Sequence, residues 1–183
     1  MSDFDPGPLA NVGLSHSGDG YTLAFIQPLP HPPEKVWAAL TDPAQLDQWA
    51  PFTAARDLSV LGDNTLTMVD GDARTDTPIT VLRSEPPTLL EYTWGGDLLQ
   101  WRLDALPPGT WLGLRHTLQR RDMAAMVAAG WHICVAVADR LLAGDPVGVI
   151  RGQDAMAHGF ERLRDAYTKE LDGRFDADEN DDL

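Results

Sequence analysis

The residues TLLEYTWGGDLLQWRLDALPPGTWLGLRHTLQ, at positions 88–119, decide the fold of this chain. Apolar and polar residues alternate along three segments of this stretch, which is the period of a half-buried β-strand. The segments are separated by Gly95-Gly96 and by Pro107-Pro108-Gly109. Loops this short join antiparallel neighbours, because parallel strands need a long crossover connection. The stretch therefore predicts three strands of a meandering antiparallel sheet.

Similar strand patterns, separated by turn residues, precede this stretch. The full set of predicted strands is 21–28, 57–61, 65–70, 77–85, 88–94, 97–106 and 110–119. Between the first two strands, Pro32 and Pro33 suit the start of a helix over 34–41. A second short helix is predicted to run from Pro43 through Leu46 to Trp49 and to end at Pro51.

A long helix is predicted over residues 123–143, where apolar residues recur with the helical period and Gly144-Asp145-Pro146 ends the pattern. A strongly curved antiparallel sheet leaves its concave face open, and a long amphipathic helix can cover that face. We therefore expect an α+β fold in which a curved antiparallel sheet wraps around a long C-terminal α-helix. A curved sheet touches a straight helix along only part of its length, so a ligand cavity between them is expected. A further helix is predicted near residues 154–171.

The two ends of the chain differ in composition from its middle. Residues 1–20 are rich in Gly, Pro, Ser and Asp and are interpreted as a flexible leader. Residues 172–183 carry six acidic residues and one arginine and are interpreted as a disordered acidic tail. One domain over residues 21–171, including the extra C-terminal helix, is therefore expected.

Composition excludes several classes of function. The 183 residues carry a formal net charge of −14, which argues against binding nucleic acid or anionic lipid surfaces. The lone Cys134 cannot form an internal disulfide, and the five histidines show no metal-ligand spacing. No Gly-rich phosphate loop follows a strand, so no cofactor and no metal are expected. No signal peptide and no membrane span are recognised, which favours a cytoplasmic protein.

The segment from Pro32 to Pro43, with Leu46 and Trp49 after it, resembles the opening of the START-like (SRPBCC) superfamily, and most of all its heat-shock-protein-90 ATPase activator homologue branch. Three later segments agree in order and spacing: LEYTW at 90–94, LGLRHT at 112–117 and GWH at 130–132. The resemblance covers residues 21–144 and implies the helix-grip fold. It also implies a pocket for a lipid-like or aromatic ligand more often than a chaperone interaction.

Aromatic and apolar side chains on the predicted inner faces are the candidates for lining such a pocket. The expected ligand-binding residues are Trp49, Met68, Tyr92, Trp94, Trp101, Leu114, His116, Trp131 and Val135. An imidazole at position 116 would project into an apolar cavity, where it could orient a ligand or act as a general acid or base. The alternative for His116 is a core histidine with a hydrogen-bonded partner. His132 is expected to be structural or exposed.

Three functions remain open at this point. The preferred one is binding of a hydrophobic or aromatic small molecule, without catalysis, in the cavity between sheet and helix. The second is an enzyme such as a cyclase, dehydratase or hydrolase that uses the same cavity, with His116 moving protons. The third is a co-chaperone-like partner of a heat-shock ATPase, which has weaker support because no exposed apolar patch is evident. A homodimer is compatible with all three.

Overall fold

A computed structural model describes residues 4–180 as a large antiparallel sheet with helices on one side. The strands are β1 (Asn11–Ser17), β2 (Gly20–Leu29), β3 (Phe52–Ala54), β4 (Gly62–Asp70), β5 (Ala73–Glu85), β6 (Leu89–Trp94), β7 (Asp97–Leu106) and β8 (Gly109–Leu118). The helices are α1 (Pro33–Thr41), α2 (Pro43–Leu46), α3 (Ala124–Leu142) and α4 (Phe160–Asn180). The eight strands follow the order β1-β2-β8-β7-β6-β5-β4-β3. This architecture confirms the expected α+β helix-grip fold.

Alternation along β8 decides which side chains face the helices. The buried side chains are those of every second residue: Leu112, Leu114, His116 and Leu118. Trp111, on the other face of the strand, is 41% exposed. His116 pairs with Leu99 on β7 and with Leu23 on β2. Both partners are fully buried, so the imidazole enters the domain from the centre of the inner face.

Helix α3 is the central element of the core. Twelve of its residues are buried, as expected for a helix held between a sheet and a second helix. Together with the turn before it, Arg121–Leu142 is long and apolar enough to cross a membrane by length and composition alone, yet 56% of its most apolar window is buried inside the domain. The core helix of a globular domain has the same properties.

The interpretation of residues 1–20 as a flexible leader is wrong for Asn11–Ser17. These residues form β1 and pair along their whole length with β2 through a tight turn. Gly18 adopts a positive φ of 59° in that turn, which glycine tolerates without strain. The Gly- and Ser-rich composition concealed the alternation of Val12 and Leu14, which supplies the apolar face of the strand.

Two further expectations differ from the structure. Residues 57–61 form a turn, because the Asp57 carboxylate accepts hydrogen bonds from both the backbone N–H and the hydroxyl of Ser59. The strand before β4 is instead Phe52–Ala54. The tail expected to be disordered from residue 172 continues α4 to Asn180, and its last three residues lie outside the described part of the chain.

The C-terminal extension packs back onto the domain. Helix α4 contacts α3 and β1, with Leu163, Tyr167 and Leu171 buried one or two turns apart. The connecting residues 145–159 include a short 3-10 helix, Gly152–His158, which contacts α3 and β4. This connection brings the extension to the space between sheet and helix.

Candidate functional site

A cavity of about 410 Å³ lies between α3, the inner face of the sheet and the C-terminal extension. Its volume falls within the range of small-molecule pockets. The lining residues are Pro51, Met68, Trp94, His116, Met126, Val127, Gly130, Trp131, Ile133, Cys134, Ile150, Arg151, Gly152, Ala155 and Phe160. Met126 and Gly152 are exposed, so the cavity opens to solvent on their side.

Trp94 and Trp131 form an aromatic corner of the cavity. Their ring centroids are 6.1 Å apart, and both rings meet Phe52 edge-on, at 5.2 and 6.5 Å. Met68, Met126 and Cys134 supply three sulfur atoms to the same lining. Indole rings and polarisable sulfur make favourable contacts with flat aromatic groups. The lining therefore suits an aromatic ligand at least as well as an aliphatic one.

Gly130 keeps the helical wall of the cavity open. It lies in the middle of α3, where glycine costs roughly 1 kcal/mol relative to alanine. A Cβ atom at this position would meet no heavy atom within 4 Å other than its chain neighbours and the backbone of its own helix. Close helix packing therefore does not require a glycine here, and the missing side chain leaves free volume in the cavity.

His116 is held in one tautomer by its two partners. The indole N–H of Trp131 donates to His116 Nδ1 at 3.1 Å, so Nδ1 must be the unprotonated acceptor. His116 Nε2 then carries the hydrogen and donates to the Asp97 carboxylate at 3.1 Å. Burial lowers the pKa of His116, and the Asp97 carboxylate only partly opposes this. A neutral imidazole with both nitrogens hydrogen-bonded holds the Trp131 indole in place.

The structure divides the nine residues expected to bind a ligand into two groups. Met68, Trp94, His116 and Trp131 line the cavity together. The remaining five, all buried and absent from its lining, are Trp49, Tyr92, Trp101, Leu114 and Val135.

The three aromatic side chains of this second group, Trp49, Tyr92 and Trp101, belong to the hydrophobic core behind the cavity. The indole N–H of Trp101 donates to the Tyr92 hydroxyl at 3.1 Å, and the indole N–H of Trp49 donates to the Ala39 carbonyl at 2.8 Å. Trp101 also meets Trp131 edge-on, at 5.2 Å between centroids. Val135 lies on another side of α3, where it lines a smaller cavity of about 190 Å³ with Phe25 and His132. Trp49, Tyr92 and Trp101 therefore pack behind the cavity wall, whereas Val135 lies away from it.

The lining residues that the sequence did not indicate come from α3, from the C-terminal extension and from Pro51 just before β3. Met126, Val127 and Gly130 precede Trp131 and Cys134 on α3, and their helical spacing relative to Trp131 was the available signal. Ile150 and Arg151 belong to the C-terminal extension. No motif marked these two positions, because only the folded chain brings the extension to the cavity.

Arg151 fixes the extension to the rest of the wall. Its side chain is 9% exposed. Nε donates to the Ala50 carbonyl at 2.7 Å, and one terminal nitrogen donates to the Asp47 carbonyl at 3.1 Å and the Phe52 carbonyl at 3.4 Å. These bonds connect the extension to the segment between α2 and β3, and so close one side of the cavity.

His132 is buried on α3, where it contacts α4 and the N-terminal segment. The Tyr167 hydroxyl accepts from the Ala10 N–H at 2.9 Å and lies 2.6 Å from His132 Nδ1. His132 Nε2 lies 2.7 Å from the Pro6 carbonyl, which can only accept, so Nε2 carries the hydrogen and Nδ1 accepts from the tyrosine. His132 is therefore structural, joining α3, α4 and the N-terminal segment.

Because of its two buried histidines, the protein is expected to lose stability in mild acid. Burial lowers the pKa of both His116 and His132 in the folded protein; around His132 the Pro6 and Gly7 carbonyls and Asp5 oppose the shift, while Arg162 adds to it. In the unfolded chain the pKa of each imidazole is about 6.5. The unfolded state thus binds more protons as the pH falls below that value, and stability decreases by up to about 1.4 kcal/mol per pH unit for each histidine. Urea unfolding between about pH 7 and pH 5 measures this slope.

A His116→Gln variant separates the two contributions. We expect it to remove one histidine's share of the slope, and His132→Gln to remove the other's. Carboxylates that titrate in the same range cancel in the comparison with the wild-type protein. Equal slopes for the wild type and the His116→Gln variant would show that His116 keeps an ordinary pKa in the fold.

The residues that the structure describes offer no metal centre. Among residues 4–180, no group of three or more His, Cys, Asp and Glu side chains could hold a metal ion. Arg151 is the one formally charged residue in the described lining of the cavity. The site is thus defined by shape, aromatic surface and a single cation.

Taken together, the fold and the site define a helix-grip domain with an apolar cavity between the sheet and α3. The family model described as "Activator of Hsp90 ATPase homolog 1-like protein" matches residues 30–143. The chain therefore belongs to this family of START-like proteins. The match ends at the close of α3, so the part of the cavity wall after residue 143 lies outside it. No curated protein matches the sequence.

Solved structures share the fold. A conserved protein of unknown function from Enterococcus faecalis superposes with a TM-score of 0.67 at 15% identity, covering 88% of this chain and 91% of that one. CalU16 from Micromonospora echinospora has a TM-score of 0.63 at 21% identity, covering 87% and 95%. DynU16, described as a putative protein in the dynemicin biosynthetic locus, has a TM-score of 0.62 at 24% identity, covering 72% of this chain and 51% of that one. Identities this low show the fold alone.

Proposed function

We propose that this protein binds a hydrophobic or aromatic small molecule in the cavity between the sheet and α3. The observation that carries the proposal is the free volume at Gly130, in the middle of the core helix. A helix whose only task is to fill the core is more stable with alanine or a larger residue at such a position. An open position next to two indole rings is what a ligand pocket requires.

The polar groups around the cavity also favour binding over catalysis. Both nitrogens of His116 are already engaged, by Trp131 and by Asp97. Burial raises the pKa of the Cys134 thiol to about 12, so the thiol is protonated at neutral pH and a weak nucleophile. Neither residue is prepared for proton transfer or covalent attack, and no observation specifically favours the enzyme or co-chaperone alternatives. DynU16 contributes likeness of fold, so the proposal depends on this chain's own cavity.

A neutral aromatic probe tests the proposal directly. Phenylnaphthylamine fluoresces in apolar surroundings, and we expect saturable binding of one molecule per chain, with quenching of the neighbouring Trp94 and Trp131. Absence of saturable binding, or binding that does not quench tryptophan fluorescence, would contradict a ligand site in this cavity.

A further inference from the structure

A single guanidinium stands in the wall of an otherwise uncharged cavity. The described lining contains no Asp, Glu or Lys, and Arg151 is nine-tenths buried within it. Burying a cation is costly unless it is well paired. The partners that the structure gives it are mainly backbone carbonyls of Asp47, Ala50 and Phe52. These oxygens satisfy donors without neutralising the charge.

One edge of the guanidinium is poorly satisfied. Arginine has five N–H donors in a fixed planar arrangement. Nε and Nη2 make the three backbone hydrogen bonds. Nη1 donates only to the Asp47 carboxylate, over a long distance of 3.5 Å. That carboxylate is 63% exposed, so water screens it. Within residues 4–180, Nη1 therefore keeps the capacity to donate to a stronger acceptor.

The charge of Arg151 also reaches the cavity. Its guanidinium favours the thiolate form of Cys134, acting against the larger effect of burial on the pKa of that thiol. Cys134 lines the same cavity from α3. A positive charge close enough to act on the Cys134 thiol also acts on an anionic group of a ligand bound in the same cavity.

We propose that the ligand is a planar aromatic molecule with one anionic oxygen group, a carboxylate or an ionised phenol, which Arg151 receives while the ring lies against Trp94 and Trp131. This inference rests on the proposed function and names the class of ligand that the same cavity takes. The aromatic corner fixes the ring, and the guanidinium selects the charge. With a net charge of −14, the protein as a whole repels anions, so any preference for an anionic ligand must come from a local cation.

Two probes with the same aromatic skeleton test this inference. Anilinonaphthalene sulfonate carries an anionic sulfonate, which stands in for the carboxylate, and phenylnaphthylamine lacks it. A charge-assisted hydrogen bond predicts that the wild-type protein binds the anionic probe about ten- to a hundredfold more tightly. In the Arg151→Gln variant this preference should disappear. Because Arg151 also holds the extension against the cavity wall, the readout is the ratio of the two probe affinities and not the affinity for either probe alone. Arg151→Lys keeps the charge and should retain part of the preference.

Arg115→Gln is the matched control. Arg115 is exposed on the outer face of the sheet, beside a groove that includes Trp111, where an anionic dye could bind to the surface. This variant removes the same charge from the protein and should leave the preference unchanged. If Arg115→Gln rather than Arg151→Gln abolishes the preference, the anionic probe binds to the outer face and the inference is wrong.

The remaining outcomes separate the inference from the proposed function. If the wild-type protein binds both probes with equal affinity, the inference of an anionic ligand is wrong, while the proposed binding of an aromatic molecule is supported. If Arg151→Gln lowers the affinity for both probes by the same factor, the inference is wrong, and Arg151 is only a structural link between the extension and the segment after α2. If neither probe binds the wild-type protein, the proposed function fails, and the inference fails with it.

Discussion

Replacing Gly130 with leucine is expected to abolish binding of the aromatic probe while the protein remains folded. The new side chain extends from the middle of α3 into space where a Cβ atom would meet no heavy atom within 4 Å other than its chain neighbours and the backbone of its own helix. It then occupies part of the cavity of about 410 Å³ next to Trp131. We expect affinity for phenylnaphthylamine to fall about a hundredfold or more, equivalent to roughly 2.7 kcal/mol.

The same substitution should not reduce stability. Leucine is a much better helix former than glycine, and the gain is as large as about 1 kcal/mol at an interior helical position. Loss of binding with an unchanged or increased free energy of unfolding is difficult to explain unless the cavity is the binding site. Urea unfolding and probe titration on the same preparation measure both quantities.

Gly130→Ala is the control for this experiment. It gives the same kind of helix stabilisation but adds a single methyl group, so the probe affinity should stay within about threefold of the wild-type value. If the leucine variant binds the probe normally, the ligand site lies elsewhere. If the leucine variant unfolds, the space beside Gly130 is smaller than the structure shows, and the argument for an open wall fails.

Removing the Tyr167 side chain is expected to cause the largest loss of stability. Tyr167 is fully buried, and its hydroxyl links the Ala10 N–H to His132 on α3. Burial raises the pKa of this hydroxyl to about 12, so it remains protonated and can donate to the imidazole. We expect Tyr167→Ala to reduce the free energy of unfolding by about 3–5 kcal/mol, since both the ring and the link are lost.

Tyr167→Phe isolates the contribution of the hydroxyl. It keeps the ring but leaves a buried donor at Ala10 and a buried acceptor at His132 without this partner, at a cost of about 1–3 kcal/mol. Hydrogen exchange at the Ala10 amide should increase in parallel. Tyr21→Phe, at a half-buried ring beside His16, serves as the control and should change stability by less than about 0.5 kcal/mol. Unaltered exchange at Ala10 in Tyr167→Phe would refute the link between the N-terminal segment and α4.

Much of the fold could be predicted because its signals are local. Period-2 alternation fixed the inner face of β8, including His116, since successive side chains of a strand point to opposite faces. The helical period identified α3, and the glycine and proline residues marked the turns between β6, β7 and β8. The expectations that failed concern residues 11–17 and 57–61, where a pairing partner or side-chain hydrogen bonds outweigh composition, and residues 172–180, which continue α4.

The candidate site was predictable only in part. Alternation and helical spacing locate Met68, Trp94, His116 and Trp131 on inward faces. The same patterns also select Trp101 and Tyr92, which are core. Nothing local distinguishes an inward side chain that touches another side chain from one that borders empty space, because the difference lies in how far the sheet and helix separate at that point.

By itself the sequence determined the class of fold, the long core helix, the inward position of His116 and the family to which the chain belongs. Periodicity, turn residues and short motifs are properties of neighbouring positions along the chain, so they can be recognised before folding is known. The tertiary structure alone decided that Ile150 and Arg151 close the cavity, that Gly130 keeps it open and that Trp131 and Asp97 occupy both nitrogens of His116. Each of these depends on contacts between residues far apart in the chain, whose distances are set only when the sheet, α3 and the C-terminal extension pack together.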